Sequence, residues 1–285
     1  MVGLSAVTQR ALVTALRDEY PVQLLCAVLG LAPSTYYYQP LERDDLSLLV
    51  SIEDVLRRFP TYGYRRVTAQ LQREQLVVNH KRVHRVMREN DLLVAPRRGV
   101  RTTQSDHPYG RYPNRLQGLQ VERPDQVWCA DITYICLPRS YVYLAIVLDV
   151  YTRSLRGWYL GRTLSSELAL TALRNALARH QPEIHHSDQG VQYAARGYVH
   201  QLEAVGAQLS MAARGQPTQN PYAERVIRTI KEEEVYLNEY PDYATAYREI
   251  GHFIEDVYQT KRIHSALGYL TPTEFEAAYR QKPVV

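Results

Sequence analysis

Three carboxylates in this 285-residue chain stand where an acid needs a reason. Asp131 interrupts the apolar and aromatic run QVWCADITYI, where a buried charge is costly. Asp188 follows EIHHS and opens the turn Ser187-Asp188-Gln189-Gly190. Glu224 falls in the first turns of PYAERVIRTIKEEEV, with 35 residues between it and Asp188. Taken singly, two of them have ordinary explanations. Asp with Gly two residues on makes a turn, because Asp bonds its own backbone and Gly tolerates positive φ. An acid near a helix start is favoured by the helix dipole. Together they pose a different chemistry. Clustered carboxylates repel one another unless a cation neutralises them, and ligation by oxygen alone selects Mg²⁺ or Mn²⁺. Two such ions about 4 Å apart would activate an attacking oxygen and stabilise a leaving one in phosphoryl transfer. Asp149, closing SYVYLAIVLDV, competes with Asp131 as a strand-end acid and is assigned to the sheet edge.

The surrounding pattern supplies the elements that must hold these acids. QVWCADITYI, SYVYLAIVLDV and SLRGWYL are rich in β-branched and aromatic residues, with turns at Pro138-Arg139-Ser140 and Thr152-Arg153, and predict a three-stranded meander. SSELALTALRNALARH predicts a capped amphipathic helix, EIHHS a fourth strand, residues 197–205 a helix and QLSM a last short strand. Pro221 suits the first position of the late helix. The order is β-β-β-α-β-α-β-α, an α/β fold with a mixed sheet flanked by helices. If the first and fourth strands are neighbours, their ends bring Asp131 and Asp188 together, and the late helix lays Glu224 against both. Asn220, Glu224, Arg228 and Lys231 follow at steps of four, four and three, so they share a helical face. That face carries one acid and two cations, the pattern either of a solvated charged stripe or of a binding face. Gln216, Thr218 and Gln219 are expected to form a polar, mobile loop beside it. His185 and His186 alternate along a strand, so at most one faces the site and neither is needed as a ligand.

The rest of the chain points to a polyanion. From Arg57 to Arg115 there are fourteen Lys/Arg against four Asp/Glu, a net of +10 in a chain whose total is only +4. A solvated basic surface is the plainer explanation; a nucleic-acid partner is the functional one. Residues 4–30 carry helical periodicity broken at Pro21 and closed at Gly30, and Ser34 or Thr35 offers a cap for a further short helix. In DDLSLLVSIEDVLRRF the apolar positions 46, 49, 52, 55 and 56 mark a helical face. Asn79 is a good N-cap for HKRVHRVMREN, where Val83, Val86 and Met87 face a core and Lys81, Arg82, Arg85 and Arg88 face outward. A cationic third helix of this kind suits the major groove, although any amphipathic helix with a solvated face has the same pattern. From Ala95 to Asp125 the period fails, and the stretch reads as a basic linker whose Arg97, Arg98 and Arg101 track phosphates. Three cysteines form no CxxC pair, which argues against a disulfide framework or thiolate zinc site. No run reaches the roughly 18–20 apolar residues of a membrane span, and the N-terminus lacks a signal-peptide pattern. The expectation is a soluble cytoplasmic chain with no membrane partner.

These motifs resemble the integrase-core transposases of the IS3 family of insertion sequences, in the DDE superfamily. The matching pieces are WCADITYI around Asp131, HHSDQGVQY around Asp188, GQPTQNPYAERVIRTIKEE around Glu224, and the later IHSALGYLTPTEFE. TYGYRRVTAQLQREQLVVNHKRVHRVMREN matches the family's helix-turn-helix segment, and the likeness covers about residues 45–280. The resemblance implies an RNase H-like catalytic core with a mixed five-stranded sheet, preceded by small all-helical helix-turn-helix domains. The boundaries it implies are an N-terminal helical segment at 1–42, a helix-turn-helix domain at 43–94, a basic linker at 95–124, the core at 125–240 and a C-terminal helical extension at 241–285. It further implies that Asp131, Asp188 and Glu224 are catalytic ligands of two Mg²⁺ ions, for which Mn²⁺ substitutes. The face of Asn220, Glu224, Arg228 and Lys231 would then present a metal ligand and two cations to DNA, with Asn220 beside them and Lys231 and Arg228 gripping the backbone. The activity implied is nicking at the element's terminal inverted repeats and strand transfer into target DNA, by a copy-out route through a circle, in a homo-oligomeric synaptic complex. The family usually carries an upstream-frame piece with its own leucine zipper. No heptad run is present here, so the chain reads either as a downstream-frame product needing that partner or as a variant that manages without it. A catalytically idle DNA-binding regulator, or a nuclease that cuts without joining, are the alternative activities. Val226 stands where the family often has an aromatic residue, and His264 is as suited to packing beneath Tyr269 and Pro272 as to touching DNA.

Overall fold

The computed structural model describes residues 4–38, 45–94, 112–213, 216 and 219–281. The chain divides into two compact units, at residues 1–47 and 48–285. In the first, α1 (Ala6–Leu16), α2 (Val22–Leu29) and α3 (Pro33–Tyr37) surround a small core of Val13, Leu25, Cys26 and Leu31. Ser5 caps α1, and α2 runs from Pro21 to Gly30, whose φ of 68° is the left-handed geometry that ends a helix. The expected cap at Ser34 or Thr35 is corrected. Pro33 takes the first position of α3, where its missing N–H is no loss, and Ala32 is the cap residue.

α4 (Leu46–Arg58), α5 (Tyr64–Arg73) and α6 (His80–Glu89) form a three-helix domain around Ile52, Val55, Tyr62, Val67, Leu71, Val83, Val86 and Met87. The buried stripe of α4 is Leu48, Ile52 and Val55; Leu46 is two-thirds exposed, so the face lies one step from the expected one. Asn79 caps α6 by accepting the Lys81 N–H, as its position predicts. Ile263, from far along the chain, completes this core and donates its N–H to the buried Tyr62 hydroxyl at 3.0 Å.

The sheet comprises β1 (Val127–Leu137), β2 (Ser140–Asp149), β3 (Leu155–Gly161), β4 (Ile184–Ser187) and β5 (Gln208–Met211), in the order β3-β2-β1-β4-β5. The meander β1–β2–β3 is antiparallel, and β4 and β5 add to it in parallel on the other side of β1. β1 is therefore the strand at which the chain changes direction of growth, and the carboxyl ends beside such a switch leave a crevice. α7 (Ser166–Leu177), α8 (Val191–Ala194) and α9 (Arg196–Ala204) cover one face. α10 (Pro221–Ile230) and α11 (Tyr243–His252) cover the other, and α12 (Pro272–Arg280) follows. Two stretches, Lys231–Val235 and Phe253–Lys261, are π-helical, a widened turn that helical spacing rules do not anticipate. Among the described residues no helix is long and apolar enough to cross a membrane.

The expected linker is only partly a linker. Its residues 95–111, with Arg97, Arg98 and Arg101, lie outside the described residues. From Tyr112 onward it is laid on the core: Leu116, Leu119 and Val121 pack against the α10 side. Asp149 is fully buried at the end of β2 and bonds Thr152, the Tyr151 N–H and the guanidinium of Arg156. Arg156, itself buried, also binds Asp125 and Glu276 and so ties the sheet to α12. Asp149 is thereby occupied as an ion-pair partner inside the sheet.

Candidate active site

Strand register brings the first two acids level. β1 and β4 run parallel with Cys129 opposite His186, so two residues further along each chain Asp131 and Asp188 come abreast where β4 ends. Neighbouring strands lie about 4.8 Å apart, close enough for two carboxylates to feel each other strongly. The third acid comes from α10, whose Ala223, Val226, Ile227 and Ile230 pack on the sheet face formed by Cys129, Ile135, Leu144 and Ile146. By strand alternation Asp131 shares that face. Glu224 sits in the first turn of α10, half-buried. Val226 is in the core, so its departure from an aromatic residue is a packing matter.

Electrostatics report the convergence. Burial, then the charges of Asp188 and Glu224, push Asp131 up to about 8, against an opposing N–H from Ile132 and the cation of Lys231. Among the described residues no three His, Cys, Asp or Glu side chains form a ready-made cage for an ion. What they form is a concentration of negative charge with oxygen donors only, and that donor set fits a hard divalent cation better than a soft one.

The turn holding Asp188 differs from its expected form in one respect. Asp188 Oδ1 accepts the Gly190 N–H at 2.8 Å, the anticipated bond. Gly190, however, has φ −66°, a conformation open to any residue. What glycine supplies there is space: a Cβ would lie 2.8 Å from Asp188 Oδ1 and 3.2 Å from Gln192 Oε1, so a larger residue would push the carboxylate aside.

Asn220 does not join the outward face. It is 4% exposed, precedes the helix with φ −121°, and donates its side-chain N–H to the Ala130 carbonyl at 3.0 Å. Its place is a tie between β1 and the start of α10, which corrects the expected contact with DNA. Arg228 is exposed one turn beyond Glu224. Lys231 is half-buried with its ammonium 4.7 Å above the Tyr134 ring, and burial lowers its pKa against the pull of Cys136 and Asp131. On α6, Lys81 and Arg88 are exposed, Arg82 is half-buried, and Arg85 pairs with Glu89 at 2.9 Å.

Gln219, expected in a mobile loop, is a hub; Thr218 lies outside the described residues. Its side-chain oxygen accepts from Asn114 Nδ2 and the Ala213 N–H, and its carbonyl faces His186 Nε2 at 3.1 Å. A carbonyl only accepts, so His186 carries its proton on Nε2, and its Nδ1 accepts from the Ser210 hydroxyl at 2.8 Å. Ser210 in turn accepts the Arg115 N–H at 2.9 Å. This one-directional chain runs from the end of the linker segment, through β5 and β4, to the residue before Asn220. Burial pushes His186 down to about 4 and His185 to about 3, so both are neutral at pH 7, and His185 bonds the Tyr198 hydroxyl. His264 packs edge-on against Tyr258 at 5.0 Å, a structural position reached from a different neighbour than expected. Sequence spacing missed Gly190's steric role, Gln219 and Ser210. No local signal marks Gln219 or Ser210, whose partners Asn114 and His186 lie far along the chain.

Known proteins place this arrangement. An integrase core domain model matches residues 121–217, a second integrase core domain model residues 205–272, and an HTH-like domain model residues 42–100. A 31 kDa protein of insertion element IS600 from Shigella sonnei is 33% identical over 270 residues, covering 90% of this chain and 99% of that protein. The transposase for insertion sequence element IS629, also from Shigella sonnei, is 31% identical, covering 94% of this chain and 95% of its own length. The transposase for IS904 from Lactococcus lactis is 33% identical over 75% of this chain and 87% of its own. Among solved structures, a chain in the simian T-cell lymphotropic virus intasome bound to the PP2A regulatory subunit B56 gamma superposes with TM-score 0.50 at 16% identity. The match covers 82% of this chain and 77% of that one, a likeness of fold. With its RNase H-like core and its match to nearly the full length of such relatives, the chain belongs to the IS3-family insertion-sequence transposases.

Proposed function

We propose that this transposase performs divalent-metal-dependent phosphoryl transfer with Asp131, Asp188 and Glu224 as the ligand set. It nicks the ends of its own element to release 3′-hydroxyls, and those hydroxyls then attack a second phosphodiester with no covalent protein intermediate. The observation that carries this reading is the register that sets Asp131 beside Asp188, with Glu224 on the helix packed over the same face; burial and then the neighbouring charges push Asp131 up to about 8. When bound, Mg²⁺ or Mn²⁺ polarises a phosphate oxygen and eases deprotonation of the attacking group. The protein's own work is positional. Asp131 acts from the middle of β1 and Asp188 from just beyond the end of the neighbouring β4, and the Asn220 and Gln219 ties seat the helix that carries Glu224. Arg228 and Lys231 neutralise backbone charge beside the reacting phosphate. Lys81, Arg82, Arg85 and Arg88 serve α6 as a phosphate-gripping helix in the major groove. A copy-out route through a joined circle, synapsis by a homo-oligomer, and assistance from an upstream-frame protein accompany this reading through the family alone.

A strand-transfer assay on element-end DNA tests it. Wild type with Mg²⁺ should join ends, and Asp188→Asn should reduce joining by at least about a thousandfold, in line with loss of a group acting on the transition state. Joining that survives Asp188→Asn would remove the catalytic assignment. Cutting without joining would favour a nuclease, and binding alone a regulator.

Gly190→Ala probes the aim of Asp188 separately. The added methyl must displace the carboxylate, so joining should fall about tenfold or more while the melting temperature stays within about 2 °C of wild type. An unchanged rate would mean that the turn adjusts without moving Asp188.

A further inference from the structure

Tyr193, in the short helix α8 five residues after Asp188, carries a hydroxyl without an evident use. Its ring is 3% exposed and packs edge-to-face against Tyr198 at 5.4 Å. The hydroxyl is buried and, among the described residues, has no hydrogen-bond partner. Such a group is destabilising unless something satisfies it, and phenylalanine would fill the same space without that cost. The contrast with Tyr198 is direct, since its buried hydroxyl bonds His185 Nε2 at 2.9 Å.

The location of the orphan is informative. A Cβ built on Gly190 would lie 2.8 Å from Asp188 Oδ1 and 3.4 Å from the Tyr193 ring, so carboxylate and ring flank the same glycine. Asp131 and Asp188 both add to burial in raising the Tyr193 pKa, which puts the phenol within their field and keeps it protonated. A buried phenol beside the Asp188 turn, held as a donor, has a proton to offer and no acceptor engaged.

We propose that Tyr193 is a positioning residue for the metal: its hydroxyl donates a hydrogen bond to a water ligand of an ion held by Asp131 and Asp188. This inference rests on the metal-dependent reading above. It explains why a polar group is retained in an otherwise apolar cluster. The hydroxyl is unsatisfied only until the coordination sphere is in place, and outer-shell partners of this kind orient ligands and strengthen ion binding.

Tyr193→Phe tests it with three measurements on the full chain: melting temperature without metal, Mn²⁺ and Mg²⁺ affinity by calorimetry, and joining as a function of metal concentration. The metal-free variant should melt at or above wild type. Its metal affinity should fall about 10- to 100-fold, with joining recovered at high metal concentration. Wild-type affinity and joining in the variant would overturn the proposal while leaving the metal-dependent reading intact. A lower metal-free melting temperature would also overturn it, by revealing a structural partner for the hydroxyl. If wild type itself binds no divalent ion, the parent reading fails and this one with it.

Discussion

Replacing Asp131 with asparagine should abolish strand joining and, at the same time, make the metal-free protein more stable. The first effect follows from the proposed role of Asp131 as a metal ligand. The second follows from the sign of the pKa shift. In the folded protein Asp131 is pushed up to about 8, above its ordinary 3.8, because burial and the charges of Asp188 and Glu224 oppose ionisation. The folded state therefore keeps a proton that the unfolded chain has lost, and stability falls as pH rises across that interval. The penalty is absent below about pH 4 and complete above about pH 8. Asparagine carries no charge and escapes it. With a discount for the partial exposure of the carboxylate, the gain is about 1–3 kcal/mol, or several degrees in a domain of this size. Melting curves in chelator at pH 5, 7 and 9 should separate variant from wild type progressively. Added Mg²⁺ should raise the wild type and leave the variant nearly unmoved. Coincident curves at pH 9 would mean that the three acids do not share a field.

Much of this site was legible because charges are conspicuous in apolar runs. Asp131 within a strand pattern, Asp188 in a turn and Glu224 at a helix start could each be placed from period and cap signals alone. The strands fall within about two residues of where the pattern puts them, whereas α7 stops three residues short and α10 gives way to a π-helical turn at Lys231; Asn79, Pro21 and Gly30 act as their chemistry predicts. What could not be read was register. That Cys129 faces His186 depends on β4 pairing with a strand more than fifty residues earlier, a tertiary choice that no local signal encodes. Asn220 shows the limit of the helical wheel. The count of four to Glu224 is correct, but Asn220 is not yet in the helix, so its side chain turns inward to β1. Gln219 and the segment from Tyr112 looked like loop by composition, since polar and Pro-rich stretches have no period. Their order comes from long-range hydrogen bonds. The widened turn from Lys231 is likewise invisible to a rule built on 3.6 residues per turn.

Glu233→Ala should be among the most destabilising single changes in this chain. Its carboxylate receives Arg262 Nε and Nη2, each at 2.7 Å, and Arg66 Nη1 at 3.0 Å, across separations of 29 and 167 residues. Although burial opposes ionisation, the two guanidinium groups hold Glu233 below its usual pKa, so the clamp is fully formed above about pH 4.5 and weakens as pH falls below it. Arg262 is only 5% exposed. Removing its partner strands a buried charge, at about 3–5 kcal/mol. That is a large share of a typical net stability of roughly 5–15 kcal/mol, and it should lower the melting temperature by about 10 °C. Glu233→Met with Arg262→Met should recover much of the loss, because the buried guanidinium leaves with its partner, while the less buried Arg66 keeps the Thr61 carbonyl and the Tyr62 ring. A single alanine variant that melts within about 2 °C of wild type would show that the clamp contributes little. The functional consequence lies in where the clamp sits. Arg66 belongs to α5 of the helix-turn-helix domain, and Ile263 beside Arg262 completes that domain's core. Glu233 lies in the π-helical continuation of α10, nine residues beyond Glu224. Limited proteolysis of the alanine variant should therefore release the segment 48–94 more readily than in wild type. The helix that presents Glu224 is the same one that holds the HTH-like domain against the core, so loosening one end should disturb the aim of the other.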